Sequence, residues 1–195
     1  MTDRKDKIKE YDNVLQKHID KKDFIKINRT FKDREENISG FILLFSKDFL
    51  LLQVDNEFML DGYAIIPKHQ FDSIRCNKFD KTFRKIYKDE GLLSTLYGID
   101  QTISLKSWPD LFSNLKKLDY HVVVECEDKD EPDFIIGPIK RIYKDKVSIQ
   151  YYDPTGKLDN KLTTAKYSEI TIVKFGDRYT TIFRKYLKAS VGKTI

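Results

Sequence analysis

The chain has 195 residues, of which 40% are hydrophobic and 34% charged, and its net charge at neutral pH is +5. This balance excludes a disordered chain, which would contain fewer apolar and aromatic residues, and a membrane protein, which would contain fewer charges. The longest apolar run, 41–45, is far shorter than the roughly 20 residues of a membrane-spanning helix. No apolar segment follows the charged first residues, so no signal peptide is expected.

The first unit of the chain, residues 1–90, is predicted to be a helix, a set of short strands and a second helix. Thr2 or Asp3 suits the start of the first helix. Its apolar residues recur at helical spacing: Ile8, Tyr11, Leu15 and Ile19. Alternation around Ile25 and Ile27 predicts a strand. Further strands are predicted at about 39–46, 49–55, 58–66 and 71–76, and a helix over 78–89 closes the unit.

Residues 91–106 connect this unit to the next. Two glycines lie in this region, but so do seven large apolar residues: Leu92, Leu93, Leu96, Tyr97, Ile99, Ile103 and Leu105. A flexible linker would be polar. We therefore expect a packed connector that fixes the two units relative to each other.

The second unit, residues 107–195, repeats the same order of elements. The run Ser107-Trp108-Pro109-Asp110 provides a cap residue, a proline in the first turn and an acidic residue for a new helix. The alternation of Val122, Val124 and Cys126 predicts a strand. Further strands are predicted near 135–143, 146–152, 158–164 and 167–173, with a turn at 153–156. Gly176-Asp177 caps a closing helix predicted over about 176–189.

The two units align with each other at a nearly constant offset, which indicates a tandem duplication. Residues 39–42 match 136–139 at an offset of 97, and the following strand keeps that offset. Loss of one residue in the next hairpin then gives an offset of 96, which matches 71–74 with 167–170 and carries into the closing helices.

A helix followed by about five short, bent strands resembles the Sm-like fold, including its Hfq branch. The resemblance rests on Gly40-Phe41-Ile42 with Leu50-Leu51-Leu52, and on Gly137-Pro138-Ile139 with Val147-Ser148-Ile149. A glycine is expected there because a strongly coiled strand needs a residue without Cβ at its bend. The resemblance implies an α+β, strand-rich fold of two tandem small β-barrels. SH3-like barrels would give a similar pattern.

The RNA-contact positions of the Sm-like family are not matched in this chain. The first-turn positions, where the family has Asp and Asn, contain Ser46 and Leu50 in the first unit, and Lys144 and Val147 in the second. The family's Arg-Gly position is Ile66-Pro67 in the first unit and about 164–165 in the second. The resemblance therefore implies the fold and not the RNA site.

No motif in the sequence predicts a cofactor, a metal ion or a catalytic centre. The three histidines lie far apart, and neither cysteine has the spacing of a zinc ligand. The acidic run at 125–133 lacks the calcium-loop pattern and indicates a solvated hairpin. We expect Cys76 and Cys126 to be small buried residues of a cytoplasmic protein.

Basic and aromatic residues alternate along both closing helices. One interpretation is a nucleic-acid surface that uses charge and stacking; the other is an amphipathic helix with its aromatic residues turned inward. The spacing of Phe79 and Phe83, and of Tyr179, Ile182 and Tyr186, favours the second. In the Tyr151-Tyr152 pair, one ring must point outward. The candidate nucleic-acid or partner contacts are therefore Lys78, Arg84, Lys85, Tyr152, Arg178, Arg184 and Lys185.

These observations favour a non-catalytic binding or adaptor module with a protein partner. The alternative is an RNA or single-strand binder that uses the closing helices, since residues 140–195 contain 13 basic residues against 5 acidic ones. An enzyme with an unfamiliar site is a third, weaker hypothesis.

Overall fold

Ten antiparallel strands form one continuous sheet in this protein. The computed structural model describes residues 2–31 and 34–188, with the side chains of 11–31 and 34–188. The predicted α+β, strand-rich fold is confirmed. The element bounds are α1 Thr2–Lys21, β1 Phe24–Phe31, β2 Arg34–Phe45, β3 Phe49–Asn56, β4 Met59–Pro67, β5 Ser73–Arg75, α2 Lys78–Asp89, α3 Leu92–Thr95, α4 Trp108–Lys117, β6 His121–Cys126, β7 Asp133–Ile142, β8 Lys146–Ile149, β9 Thr163–Lys166, β10 Ile172–Phe175 and α5 Arg178–Phe183. Two short 3-10 helices, 68–70 and 184–186, follow β4 and α5.

The order of strands across the sheet is β5-β1-β2-β3-β4-β10-β6-β7-β8-β9. The two halves therefore have the same internal order, and β4 pairs with β10 where they meet, with Ile65 opposite Val173 and Tyr63 opposite Phe175. The expectation of two separate barrels is corrected by this junction. Pairing β4 with β10 satisfies backbone groups that two separate units would each leave unpaired at an edge.

The strands at the junction are buried on both faces, because alternate side chains point in opposite directions. Phe49, Leu51 and Ile65 of the first half belong to a large core whose other buried residues, Val173 among them, come from the connector and the second half. Leu50 and Ile172 belong to a second core that also contains Leu15 of α1. The two halves therefore share their hydrophobic cores.

The helix starts follow the capping residues seen in the sequence. Ser107 Oγ accepts a hydrogen bond from the Asp110 N–H, and Asp177 Oδ1 accepts one from the Thr180 N–H. Both predicted caps are confirmed, as is the helix over 78–89. The last helix ends at Phe183 and continues as the 3-10 turn, so it is shorter than predicted; the predicted end at 189 lies outside the described residues, as do the side chains of Thr2, Asp3 and Ile8.

The last two strands of the second half begin later than predicted, at Thr163 and Ile172. The segment predicted as a strand over 158–164 is mostly loop, because the turn at 153–156 is followed by isolated bridges, Tyr152 with Leu158 and Lys157 with Lys188, and not by a continuous ladder. The cap residues Asn77 and Asp177 lie 100 residues apart, so the predicted offset of 96 in the closing helices is wrong. The additional residues lie in the loop between β8 and β9.

The segment between the halves packs against both of them. Leu92, Leu93 and Tyr97 contact the aromatic cluster of Phe24, Phe41 and Tyr87, and Ile103 and Leu105 are buried in the large core. Within the described part of the chain, no helix has both the length and the apolar character needed to cross a bilayer.

Candidate functional site

A half-open pocket of about 350 Å³ lies on the side of the sheet opposite the large core, where β4, β10, β6 and β7 adjoin. Its aromatic lining residues are Tyr63, Phe134, Tyr151, Tyr152 and Tyr179, and its aliphatic ones are Val54, Val123, Ile136 and Pro154. We call it the seam pocket. Its lining is mostly apolar, with charged groups limited to Asp61, Glu125, Lys174 and Asp177.

Strand alternation explains why an apolar pocket forms on this face. Val122 and Val124 of β6 face the large core, so Val123 between them must face the other way. The same applies to β7, where Ile135 enters the core while Phe134 and Ile136 face the pocket. Phe134 is 58% exposed, so much of its ring is available at the edge of the pocket.

The charged groups of the seam pocket are mostly engaged with one another or with the backbone. Lys174 Nζ donates to Glu125 Oε1 at 2.6 Å. Asp61 Oδ1 accepts from the Arg178 N–H at 2.7 Å, and Asp177 caps α5. With three carboxylates and one ammonium group among the described lining residues, the net charge of the pocket is −2.

The base of the seam pocket contains a buried hydroxyl group. Tyr152 is 1% exposed and stacks on Phe183 at a centroid distance of 5.3 Å. In the described part of the chain its hydroxyl has no hydrogen-bond partner. Burial, followed by the neighbouring Tyr179 and Asp177, raises the pKa of this hydroxyl. Tyr152 is therefore not the outward ring of the Tyr151-Tyr152 pair, since the less buried Tyr151 is.

His121 adjoins this buried tyrosine. The two rings lie 5.9 Å apart, and His121 Nδ1 is also buried without a partner among the described residues. Burial, with a further contribution from the positive charge of Arg184, lowers the pKa of His121 to about 4. The ring is consequently neutral at physiological pH.

Two of the predicted contact residues have structural roles. Arg84 donates to the carbonyl oxygens of Lys21 and Lys22 at the end of α1. Arg184 donates to the carbonyl oxygen of Asp119 at 2.6 Å and pairs with its carboxylate. Lys22 and Asp119 both have positive φ, so each arginine fixes the corner between a helix and the next strand.

The other predicted basic residues lie on the surface. Lys78 lies over the Phe79 ring at 5.2 Å, and Lys85 pairs with Asp89. Arg178 and Lys185 are exposed. The structure therefore does not bring the predicted residues together into one site.

The aromatic residues of the closing helices are less buried than their spacing predicted. Phe79 is 60% exposed and Tyr186 70% exposed, and Tyr179 and Ile182 also count among the exposed large apolar residues. The interpretation of these four as inward-facing is wrong. Helical spacing identified an apolar face, but that face only partly contacts the sheet: Phe79 lies in the first turn of α2, and the short α5 ends before Tyr186.

The first half has a cavity in the corresponding place, lined by a set of polar residues and by four aromatic ones, Phe24, Phe58, Phe79 and Phe83. Its polar lining residues are Lys26, Ser39, Asp55, Glu57, Arg75 and Asp80. Arg75 Nη2 donates to Asp80 at 2.8 Å, and Asp55 accepts from the Tyr87 hydroxyl. The two cavities therefore differ in their charged groups: the seam pocket has three carboxylates and one cation, whereas this polar counterpart has three carboxylates and two cations, with one ion pair between Arg75 and Asp80.

The fold also brings together three residues of types that can bind metal ions. Candidate ligand atoms of His18, Asp23 and Cys76 all lie within 4.8 Å of one another. His18 Nδ1 and Asp23 Oδ2 are hydrogen-bonded at 3.0 Å, and Arg84 lies 3.7 Å from the second carboxylate oxygen. Burial, followed by the carboxylates of Asp23 and Asp80, raises the pKa of the Cys76 thiol. His18 and Asp23 therefore form a hydrogen-bonded corner between α1 and β1.

Sequence reasoning missed most of the seam pocket. One available signal was Phe134, a large aromatic residue at a position out of phase with the buried Ile135 within an otherwise charged hairpin. Tyr63 and Asp61 gave no such signal, because their role depends on the β4–β10 pairing.

Comparison with family models, curated proteins and solved structures finds no match to this chain.

Proposed function

We propose that this protein is a non-catalytic binding module that holds an apolar anchor side chain of a protein partner in the seam pocket. The observation that carries the proposal is the aromatic lining of this half-open pocket, with the exposed Phe134 at its edge. Protein interfaces are enriched in Tyr and Phe, and pockets that bury an apolar anchor supply much of their binding energy.

The lining chemistry supports binding rather than catalysis. Among the described residues that line the pocket there is no histidine, cysteine, serine or threonine to act as a nucleophile or a base. Glu125 is paired with Lys174, and Asp177 is used as a helix cap. Such engaged carboxylates are poor candidates for proton transfer.

The proposal includes a duplicated, Sm-like origin for the two halves. It is supported by the helix and five strands in each half, by the identical strand order, and by the shared backbone angle of Gly40 and Gly137, both at φ +152°. It also includes a cytoplasmic location, for which the two free cysteines are the supporting observation.

A selection of phage-displayed peptides on the full chain tests the binding function. Peptides enriched on the wild type should lose at least about tenfold in affinity for Phe134→Ser or Tyr151→Ala, because either change removes a wall of the pocket. The matched control is Tyr143→Ser, which removes an exposed aromatic residue far from the pocket. Equal binding by all three variants, or no enrichment on the wild type, would overturn the proposal.

RNA or single-strand binding is the second candidate, because the closing helices expose Phe79, Tyr179 and Tyr186 beside basic residues. Stacking and phosphate contacts would predict binding that weakens steeply with salt. Lys78→Ala and Lys185→Ala are suitable variants, whereas Arg184 is not, because its loss would disturb the corner at Asp119. Retention on immobilised RNA that is independent of salt, or no retention, would exclude this candidate.

A further inference from the structure

We infer that the seam pocket selects a basic segment of its protein partner, in which the apolar anchor is adjacent to a lysine or arginine. The anchor lies against the rings, and the adjacent cation faces Asp61 and Asp177. This inference rests on the function proposed above and names the chemical class of the partner. Its basis is the distribution of charge at the pocket.

The carboxylates of the pocket are not balanced by its cations. Glu125 and Lys174 neutralise each other at 2.6 Å. Asp61 and Asp177 remain, and they are neighbours, since the N–H of the residue that follows Asp177 donates to Asp61. These hydrogen bonds to neutral N–H and O–H groups leave two negative charges at one rim. A partner cation placed there gains attraction from both, whereas a partner carboxylate is repelled.

The aromatic rings favour the same ligand. The faces of Tyr rings carry negative potential and attract the ammonium and guanidinium groups of basic side chains. The long aliphatic stems of lysine and arginine also pack on apolar surfaces while their charged ends stay near water. Tyr151 and Tyr179 provide such rings beside the acidic rim.

The buried hydroxyl of Tyr152 points to a ligand that supplies a polar group. A buried hydroxyl without a partner costs free energy that a bound ligand can recover. Its neighbours Asp177 and Tyr179 both line the pocket, so the hydroxyl lies on the acidic side. An N–H group of a bound peptide would find an acceptor there, and Asp177 makes this position more favourable for a donor.

The polar counterpart cavity of the first half does not share this chemistry. Its charges are more nearly balanced, because Lys26 and Arg75 oppose Asp55, Glu57 and Asp80 and leave a net charge of −1 rather than −2. A basic segment should therefore distinguish the two cavities. This comparison makes the seam pocket the preferred site within one molecule.

Four pools of nine-residue peptides test the inference with the full chain. Each pool is randomised except at the centre, which is Phe or Ser, and at the two adjacent positions, which are both Lys or both Glu. Fluorescence anisotropy measures the affinity of each pool. The pool with Phe and Lys should bind tightest, at least about fivefold above the pool with Phe and Glu.

Asp61→Asn provides the matched variant, because the amide oxygen can still accept the hydrogen bond from the backbone of α5. It should reduce the preference for Lys over Glu by about two- to fivefold, and Asp20→Asn, on exposed α1, should not change it. Equal affinity of the two Phe pools, or an unchanged preference in Asp61→Asn, would overturn the inference while the proposed function stands. Equal affinity of the Phe and Ser pools would overturn both.

Discussion

Gly40 and Gly137 occupy equivalent places in β2 and β7, with φ at +152°. A Cβ atom on Gly40 would overlap the carbonyl oxygen of Gln53, and one on Gly137 would overlap that of Gln150. Both the backbone angle and the close approach of the next strand therefore require glycine. This position was predictable from sequence, because the glycine lies in a strand that must bend.

Gly40→Ala should lower the free energy of unfolding by at least about 2 kcal/mol, since the strained φ and the overlap with backbone act together. Urea denaturation followed by circular dichroism measures the change. The control is Gly91→Ala, where φ is +72° but only a serine hydroxyl lies nearby, at 3.8 Å. It should cost about 1 kcal/mol. Equal losses in the two variants would contradict the steric argument.

His121 should make stability depend on pH. Its pKa in the folded state is about 4, against an ordinary value of 6.5, so the folded state favours the neutral ring. The stabilisation that comes from keeping this ring neutral is therefore complete above pH 6.5. It is lost as the pH falls from 6.5 towards 4, because the unfolded chain takes up the proton first. The loss is at most about 3 kcal/mol.

The charged groups Asp119, Lys140 and Arg184 influence the pKa of this histidine. They are present both in the wild type and in the variant His121→Phe, so a comparison of the two isolates the histidine. His121→Phe keeps a ring beside Tyr152 and removes the titration. Urea denaturation at pH 7 and pH 4.5 should show a smaller pH-dependent loss in the variant than in the wild type. The same loss in both proteins would show that His121 does not contribute.

The sequence predicted individual elements well where a local cause determines them. The helix over 78–89 and the opening helix of the second half, α4, follow from capping residues and apolar spacing. The late strands of the second half were misplaced, because β9 begins at Thr163 and β10 at Ile172, whereas their starts were predicted near 158 and 167. Local pattern cannot show where a partner strand ends, so the bounds of β9 and β10 depend on tertiary structure.

Replacement of Arg184 tests how the closing segment, 178–186, is attached to the sheet. Arg184→Met removes the hydrogen bond to the Asp119 carbonyl and should lower the free energy of unfolding by about 1 kcal/mol. The control is Lys185→Met at the adjacent, exposed position, which should change stability by less than about 0.5 kcal/mol. If both variants lose the same amount, the corner at Asp119 is not held by Arg184.

The joining of the halves was not predictable from either half alone. The duplication predicts two similar units, but which edges meet depends on the pairing of β4 with β10. The seam pocket depends on this junction, because Tyr63 and Asp61 come from the first half and most other lining residues from the second. Sequence reasoning could therefore name some pocket residues but not the pocket.

Arg29 and Glu127 form a buried ion pair between the halves, and Arg29 Nη2 also lies 3.5 Å from the carbonyl oxygen of Thr171. Arg29→Met should lower the free energy of unfolding by about 3–5 kcal/mol, because it leaves the buried Glu127 carboxylate with only the exposed Arg34 guanidinium, 3.9 Å away, as a cation. The double variant Arg29→Met/Glu127→Met should recover much of this loss. Chemical denaturation measures both, and no recovery in the double variant would contradict the explanation.

Photo-crosslinking tests most directly whether the partner peptide binds in the seam pocket or in the polar counterpart. Phe134 and Phe79 are almost equally exposed, at 58% and 60%, and each lines one of the two cavities. Each is replaced in turn by p-benzoylphenylalanine in the full chain, and the enriched peptide is irradiated with each protein. The seam-pocket account predicts a covalent adduct at position 134 and little at position 79. An adduct mainly at position 79, or equal adducts at both, would contradict it.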